Sequence, residues 1–207
     1  MSATLQTVGL PGTLLDTFAA QADTRGAIRV ASVVLLAGLT AAAAQVSVPL
    51  PFTIVPLTLT PMIVLLGGAV LGSRLGMASQ VLYLAAGIAG LPVFAASGVL
   101  PQGPLRLLGP TGGYLMAYPI AAFVAGYLAE RGFDRRYVTS VLAMLAGLAL
   151  VFLGGVTWLA LFAMPAGLGF STALQSGLYP FVAVDLVKIL VAAAILPGIW
   201  TLAGRGP

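Results

Sequence analysis

The stretch LYPFVAVDLVKILVAAAIL, residues 178–196, is apolar and long enough to cross a bilayer, yet it carries Asp185 and Lys188. An ionisable side chain at membrane depth costs at least ~2.5 kcal/mol on insertion scales, so it is a functional residue by default. Spaced i and i+3, the two stand on one face of a helix. With a rise of about 1.5 Å per residue, a helix that starts near Tyr179 holds Asp185 roughly 9 Å inside that end.

The whole 207-residue chain has the same character: 60% of it is hydrophobic and 7% charged. Soluble domains carry about 25% charged residues, so this is an integral membrane protein. Apolar runs occupy residues 28–48, 54–71, 75–96, 114–129, 138–163 and 178–196. Most reach the ~20 residues that a helix needs to span the hydrocarbon, and Pro, Gly or charge divides each from the next. The expected fold is all-α, a polytopic bundle of six transmembrane helices. The fourth run is short and borrows Thr111 to Gly113. Residues 1–27 are expected to form a cytoplasmic tail, interfacial around Leu14 to Phe18, and 28–207 one transmembrane substrate-binding domain.

Arg25, Arg29, Arg74, Arg131, Arg135, Arg136 and Arg205 fall at alternate ends of these runs, whereas the opposite connections hold only Arg106. The positive-inside rule makes the Arg-rich side cytoplasmic and places both termini there. The net charge of +4 records this bias and does not point to nucleic acid. With no Cys and no His, the chain has no disulfide, no thiolate chemistry, no His- or Cys-based metal site and no His triad. Its only Lys is not part of a GxxxxGK[ST] loop, so any ATP-driven transport needs another subunit. No catalytic, cofactor or metal residues are expected.

Between the first two helices, Pro49, Pro51 and Pro56 forbid regular helix and predict an ordered external connection with Gln45 at its lip. Two stripes of small residues, Gly68/Gly72/Gly76 and Gly113/Ala117/Ala121/Ala125/Ala129, permit close helix approach. Before the fourth helix, Gly109, Gly112 and Gly113 offer a flexible turn whose free N–H groups suit an anion. With the N-terminus inside, the sixth helix starts outside. Asp185 and Lys188 then share the outer half with the Pro-rich connection, the Gly-rich turn and Arg106, which describes a pocket open to the exterior. Alternatively, Asp185 and Lys188 simply neutralise one another.

The runs PLPFTIVPLTL (49–59), YLAAGIAGLPVFA (83–95), GPTGGYL (109–115) and FVAVDLVK (181–188) resemble the BioY family, biotin-binding substrate (S) components of energy-coupling-factor (ECF) transporters. The resemblance covers about 28–196 and implies an S-component-like bundle in a bacterial plasma membrane. It also implies capture of biotin from outside, and partnership with an energising module of a coupling membrane protein and two ATPases. Family binding residues carry over onto Asp185 and Lys188, and the Gly-rich motif onto residues 109–114, including Thr111, Gly112, Gly113 and Tyr114. Thr60 stands where the family often has Gln. Leu115 stands where some members have the Arg that suits a carboxylate; Arg106 or the N–H groups of Gly112 and Gly113 are expected in that role, while Asp185 takes a ureido N–H and Lys188 serves the ureido oxygen or the carboxylate. Tyr114 and Tyr83 are expected to flank the ligand rings. The other readings are an S component for a different vitamin, a membrane enzyme and a small channel. The expected surroundings are lipid.

Overall fold

The structure is a computed structural model that describes residues 13–15, 25–96, 102–162 and 167–202. Its order is α1 (Arg25–Gln45), β1 (Ser47–Val48), β2 (Leu57–Thr58), α2 (Thr60–Leu71), α3 (Ser73–Ile88), α4 (Leu105–Leu108), α5 (Gly112–Ala129), α6 (Tyr137–Leu161), α7 (Phe170–Gly177) and α8 (Tyr179–Leu202). Among the described residues, four helices are long and apolar enough to cross a membrane: α1, α5, α6 and α8. α2 has 12 residues and α3 has 16, fewer than the ~20 that a full crossing takes. The apolar runs that suggested two further full-length spans are therefore only partly helical. In the second run, residues 54–59 are non-helical and helix begins at Thr60 with Pro61 in its first turn; in the third, helix stops at Ile88.

The fold is also not purely helical. β1 and β2 pair antiparallel, Ser47 opposite Thr58 and Val48 opposite Leu57, and close the Pro-rich connection into a small hairpin. Proline prevents helix there, and the ladder satisfies some of the backbone that helix would otherwise have satisfied.

α5 is the central helix, in contact with α2, α3, α4 and α6. Its Ala121, Ala122 and Ala125 are fully buried. A methyl group added to Gly68 would lie 2.5 Å from the Ala122 carbonyl oxygen, so α2 and α5 touch backbone to backbone. Gly72, at φ 87°, makes the break between α2 and α3 in a conformation that other residues avoid. The first helical residue after that break is held by Glu130 from the end of α5, whose Oε1 accepts from the Ser73 N–H at 2.7 Å and the Ser73 hydroxyl at 2.9 Å. Within the bundle the Gln80 amide donates to the Thr40 hydroxyl at 3.2 Å, which joins α3 to α1. Such bonds replace water for polar groups that lipid cannot solvate.

Outward faces are apolar, with Val34, Leu35 and Leu39 on α1 and Val187, Leu190 and Val191 on α8 all exposed. Leu14 is buried in the core rather than interfacial, whereas Phe18 and Arg205 lie outside the described residues. The small face of α1 splits: Ala37 points inward and Gly38 is exposed.

Candidate ligand-binding cavity

α8 delivers the charged pair. Lys188 Nζ donates to Asp185 Oδ1 at 2.8 Å and to the Thr58 carbonyl at 2.6 Å. The pair is almost buried, with 7% of the Asp185 side chain and 11% of Lys188 exposed. Desolvating two ions costs several kcal/mol each before their attraction offsets it. Lys188 does more than neutralise: it ties α8 to the β1–β2 hairpin.

In front of Asp185 lies a cavity. Its walls come from the hairpin region (Val55 to Thr58, Thr60, Pro61), from Tyr83, from Phe94 and Ala95, from Arg106, from Thr111, Tyr114, Leu115 and Tyr118, and from Phe152 and Phe181. Tyr83 meets Phe94 edge-on, ring centroids 5.4 Å apart at 85°. Phe94 fits because Gly87 has no side chain; a methyl there would collide with the Phe94 ring. The Tyr114 hydroxyl donates to the Gly177 carbonyl at 2.7 Å and thereby joins the N-terminal end of α5 to the α7–α8 corner. Gln45, the last residue of α1, donates to the carbonyls of Pro92 (3.2 Å) and Phe94 (3.4 Å), and Gln102 to that of Phe94 at 3.1 Å, so both are tied to the segment that holds Phe94 in the cavity wall.

Arg106 is enclosed by the protein. It is 3% exposed, lines the cavity and donates to the Ala95 carbonyl. Burial lowers its pKa from the ordinary arginine value, and the neighbouring Tyr83 opposes that shift. It is a cation under physiological conditions. The cavity thus contains one carboxylate and one guanidinium, set in aromatic and aliphatic walls.

Of the residues singled out from sequence, the fold gathers Asp185, Arg106, Tyr83, Thr111 and Tyr114 around this space, with Lys188 bonded to Asp185. Gly112 and Gly113 do not line it. The Gly112 N–H donates to the Gly109 carbonyl at 3.1 Å, and a side chain on Gly112 would strike the Leu107 carbonyl. Gly113 lies against Trp158 and Gly154 of α6, while Trp158 Nε1 donates to the Gly109 carbonyl at 2.9 Å. The Gly-rich turn is thus a packing device that seats α5 on α6.

Sequence reasoning overlooked Tyr118, Phe181 and Phe94. The first two carried a usable signal, since Tyr118 follows Tyr114 by four residues and Phe181 precedes Asp185 by four, each on the same helix face. Phe94 carried none, because its position depends on contacts between loops.

Comparison with known proteins agrees with this architecture. The BioY family model matches residues 16–205. "Probable biotin transporter BioY" of Pyrococcus horikoshii is 43% identical over 166 residues, 80% of this chain and 92% of the relative. "Biotin transporter BioY" of Thermotoga maritima is 36% identical over 148 residues, 72% of this chain and 82% of the relative. The crystal structure of the S-component for biotin from an ECF-type ABC transporter shares the fold, with a TM-score of 0.76 at 22% identity, over 87% of this chain and 95% of that one. From the family match along nearly its whole length, the chain belongs to the BioY family.

Proposed function

We propose that this protein is the substrate-binding component of a biotin uptake system, which captures biotin on the outer side of the plasma membrane. The observation that carries this reading is the pairing of Asp185 with a separate cation, Arg106, inside one mostly apolar cavity. Biotin is a monoanion with an apolar bicyclic ring, two ureido N–H donors and one ureido carbonyl. Asp185, which only accepts when ionised, takes a ureido N–H; Arg106 takes the carboxylate; Tyr114, Tyr83, Phe94 and Phe181 enclose the rings. Thr111 borders the site, and Lys188 keeps Asp185 ionised and aimed. Asp185, Lys188 and Arg106 together carry one net positive charge, which balances the ligand. Charged hydrogen bonds in an enclosed, largely dry site give tight binding.

The chain binds and translocates and does no covalent chemistry. Without a P-loop it draws its energy from a module made of a coupling membrane protein and two ATPases. In the bilayer α2 and α3 complete a six-span bundle. Non-helical backbone at membrane depth is tolerated where it is buried in protein or lines a cavity, and residues 55–58 do line one. Both termini face the cytoplasm.

The test is binding of labelled biotin to the purified protein in detergent, competed by thiamine, riboflavin and biotin methyl ester. Saturable binding that biotin alone competes well, weakened at least about tenfold in Asp185→Asn, is expected. Weak competition by the ester would show that the carboxylate is read, and a matching loss in Arg106→Gln would assign its partner. A folded sample that binds thiamine or riboflavin instead moves the protein to another vitamin, and wild-type affinity in Asp185→Asn rejects the site.

A further inference from the structure

Resting on the biotin reading, we infer that Tyr118 is a specificity-determining residue whose hydroxyl donates to the ureido carbonyl of the ligand, beside the N–H that Asp185 accepts. A cyclic urea presents an N–H and a C=O side by side on one edge. Its complement is an acceptor next to a donor. Asp185 supplies the acceptor, so a donor must stand at the same depth.

Three of the donors near the cavity are engaged elsewhere. Lys188 is not among the lining residues, and its ammonium bonds Asp185 and the Thr58 carbonyl. The Tyr114 hydroxyl proton goes to the Gly177 carbonyl. Arg106 is too deeply engaged with the Ala95 carbonyl side to serve both ends of the ligand. Tyr118 lines the cavity and is 5% exposed, and its hydroxyl makes no hydrogen bond among the described residues. Tyr83, whose buried hydroxyl also lacks a partner, packs edge-on against Phe94, on the side of the cavity where Arg106 bonds the Ala95 carbonyl.

Depth agrees. Tyr118 is six residues along α5 from Gly112, and Asp185 is six residues along α8 from Tyr179. At about 1.5 Å per residue, each lies roughly 9 Å inside the outer end of its helix. The Tyr114 bond to Gly177 brings those two helix starts to the same end of the bundle.

The experiment compares biotin with 2-thiobiotin, in which sulfur replaces the ureido oxygen and accepts a hydrogen bond poorly. Wild-type protein should prefer biotin by about tenfold, the worth of one well-placed hydrogen bond. In Tyr118→Phe, which removes only the hydroxyl, biotin affinity should fall about tenfold and the preference over 2-thiobiotin should largely vanish. Equal affinity of the wild type for both ligands overturns the inference without any variant, so a misfolded Tyr118→Phe does not shield it. An unchanged preference in folded Tyr118→Phe overturns it as well, while leaving biotin uptake intact. Failure of the wild type to bind biotin overturns the uptake reading itself.

Discussion

Asp134 is the second buried carboxylate, 1% exposed in the turn between α5 and α6. Its Oδ2 accepts from Trp200 Nε1 at 2.6 Å, and the Arg135 guanidinium lies over the Trp200 ring, 4.7 Å from its centroid. Burial raises the Asp134 pKa, against the opposing pull of the Trp200 bond, a backbone bond and Arg135. Between the ordinary carboxyl pKa and this raised folded value the native state holds more protons than the unfolded one. Stability from this group therefore falls as pH rises through the folded pKa and returns on acidification. Asp134→Asn keeps an acceptor for Trp200 and removes the charge. The variant should melt higher than wild type at neutral pH, with an advantage that shrinks as pH falls. Thermal unfolding in detergent across that range checks it; a constant difference would refute the cause given. Gly155 offers a second test, since a methyl there would strike the Tyr114 ring. Gly155→Ala should cost about 1–3 kcal/mol of stability and weaken ligand binding as Tyr114 shifts.

At the scale of elements, α8 and the hairpin are coupled through one ammonium group. Lys188→Ala removes the bond to the Thr58 carbonyl and leaves Asp185 as an unpaired buried charge. Its expected cost is about 3–5 kcal/mol in unfolding, much of which Lys188→Ala with Asp185→Asn should recover because no charge is then stranded. Melting of the single and double variants decides between this and a passive pair, for which the two would differ little. α2 and α5 are coupled differently, by the missing side chain at Gly68. Gly68→Val must separate the two backbones, and should destabilise the protein more than the same change at Gly38, where a side chain would meet nothing within 4 Å.

Across the whole molecule, the Arg distribution predicts an orientation with both termini in the cytoplasm. The absence of Cys from the sequence makes this directly measurable with single introduced thiols. Leu91→Cys, at an exposed position between α3 and α4, should react with an impermeant maleimide in intact cells. Tyr137→Cys, exposed at the start of α6, should react only after permeabilisation. The reverse pattern would invert the bundle and turn the cavity toward the cytoplasm. The same scale governs energetics, because the chain has no nucleotide-binding loop of its own. Concentrative uptake should therefore cease when the ATPase partners are inactivated, while binding to the purified protein persists.

Membrane residence, the four longest spans and the placing of Asp185 and Lys188 on one helix face were legible in the sequence, because apolar length and intramembrane charge are local properties priced by the bilayer itself. The Arg asymmetry is local in the same sense. Family motifs added Tyr83 and Thr111 to Tyr114. Only the tertiary structure decided that Gly112 and Gly113 seat α5 on α6 rather than face the cavity, because a glycine's role depends on which neighbour approaches it. It alone also showed that Arg106 is buried in the cavity wall, that Lys188 reaches the Thr58 carbonyl 130 residues away in sequence, and that Tyr118 lines the same cavity as Asp185. Each of these depends on how separate helices are set against one another, and packing between distant segments leaves no periodicity in a single chain.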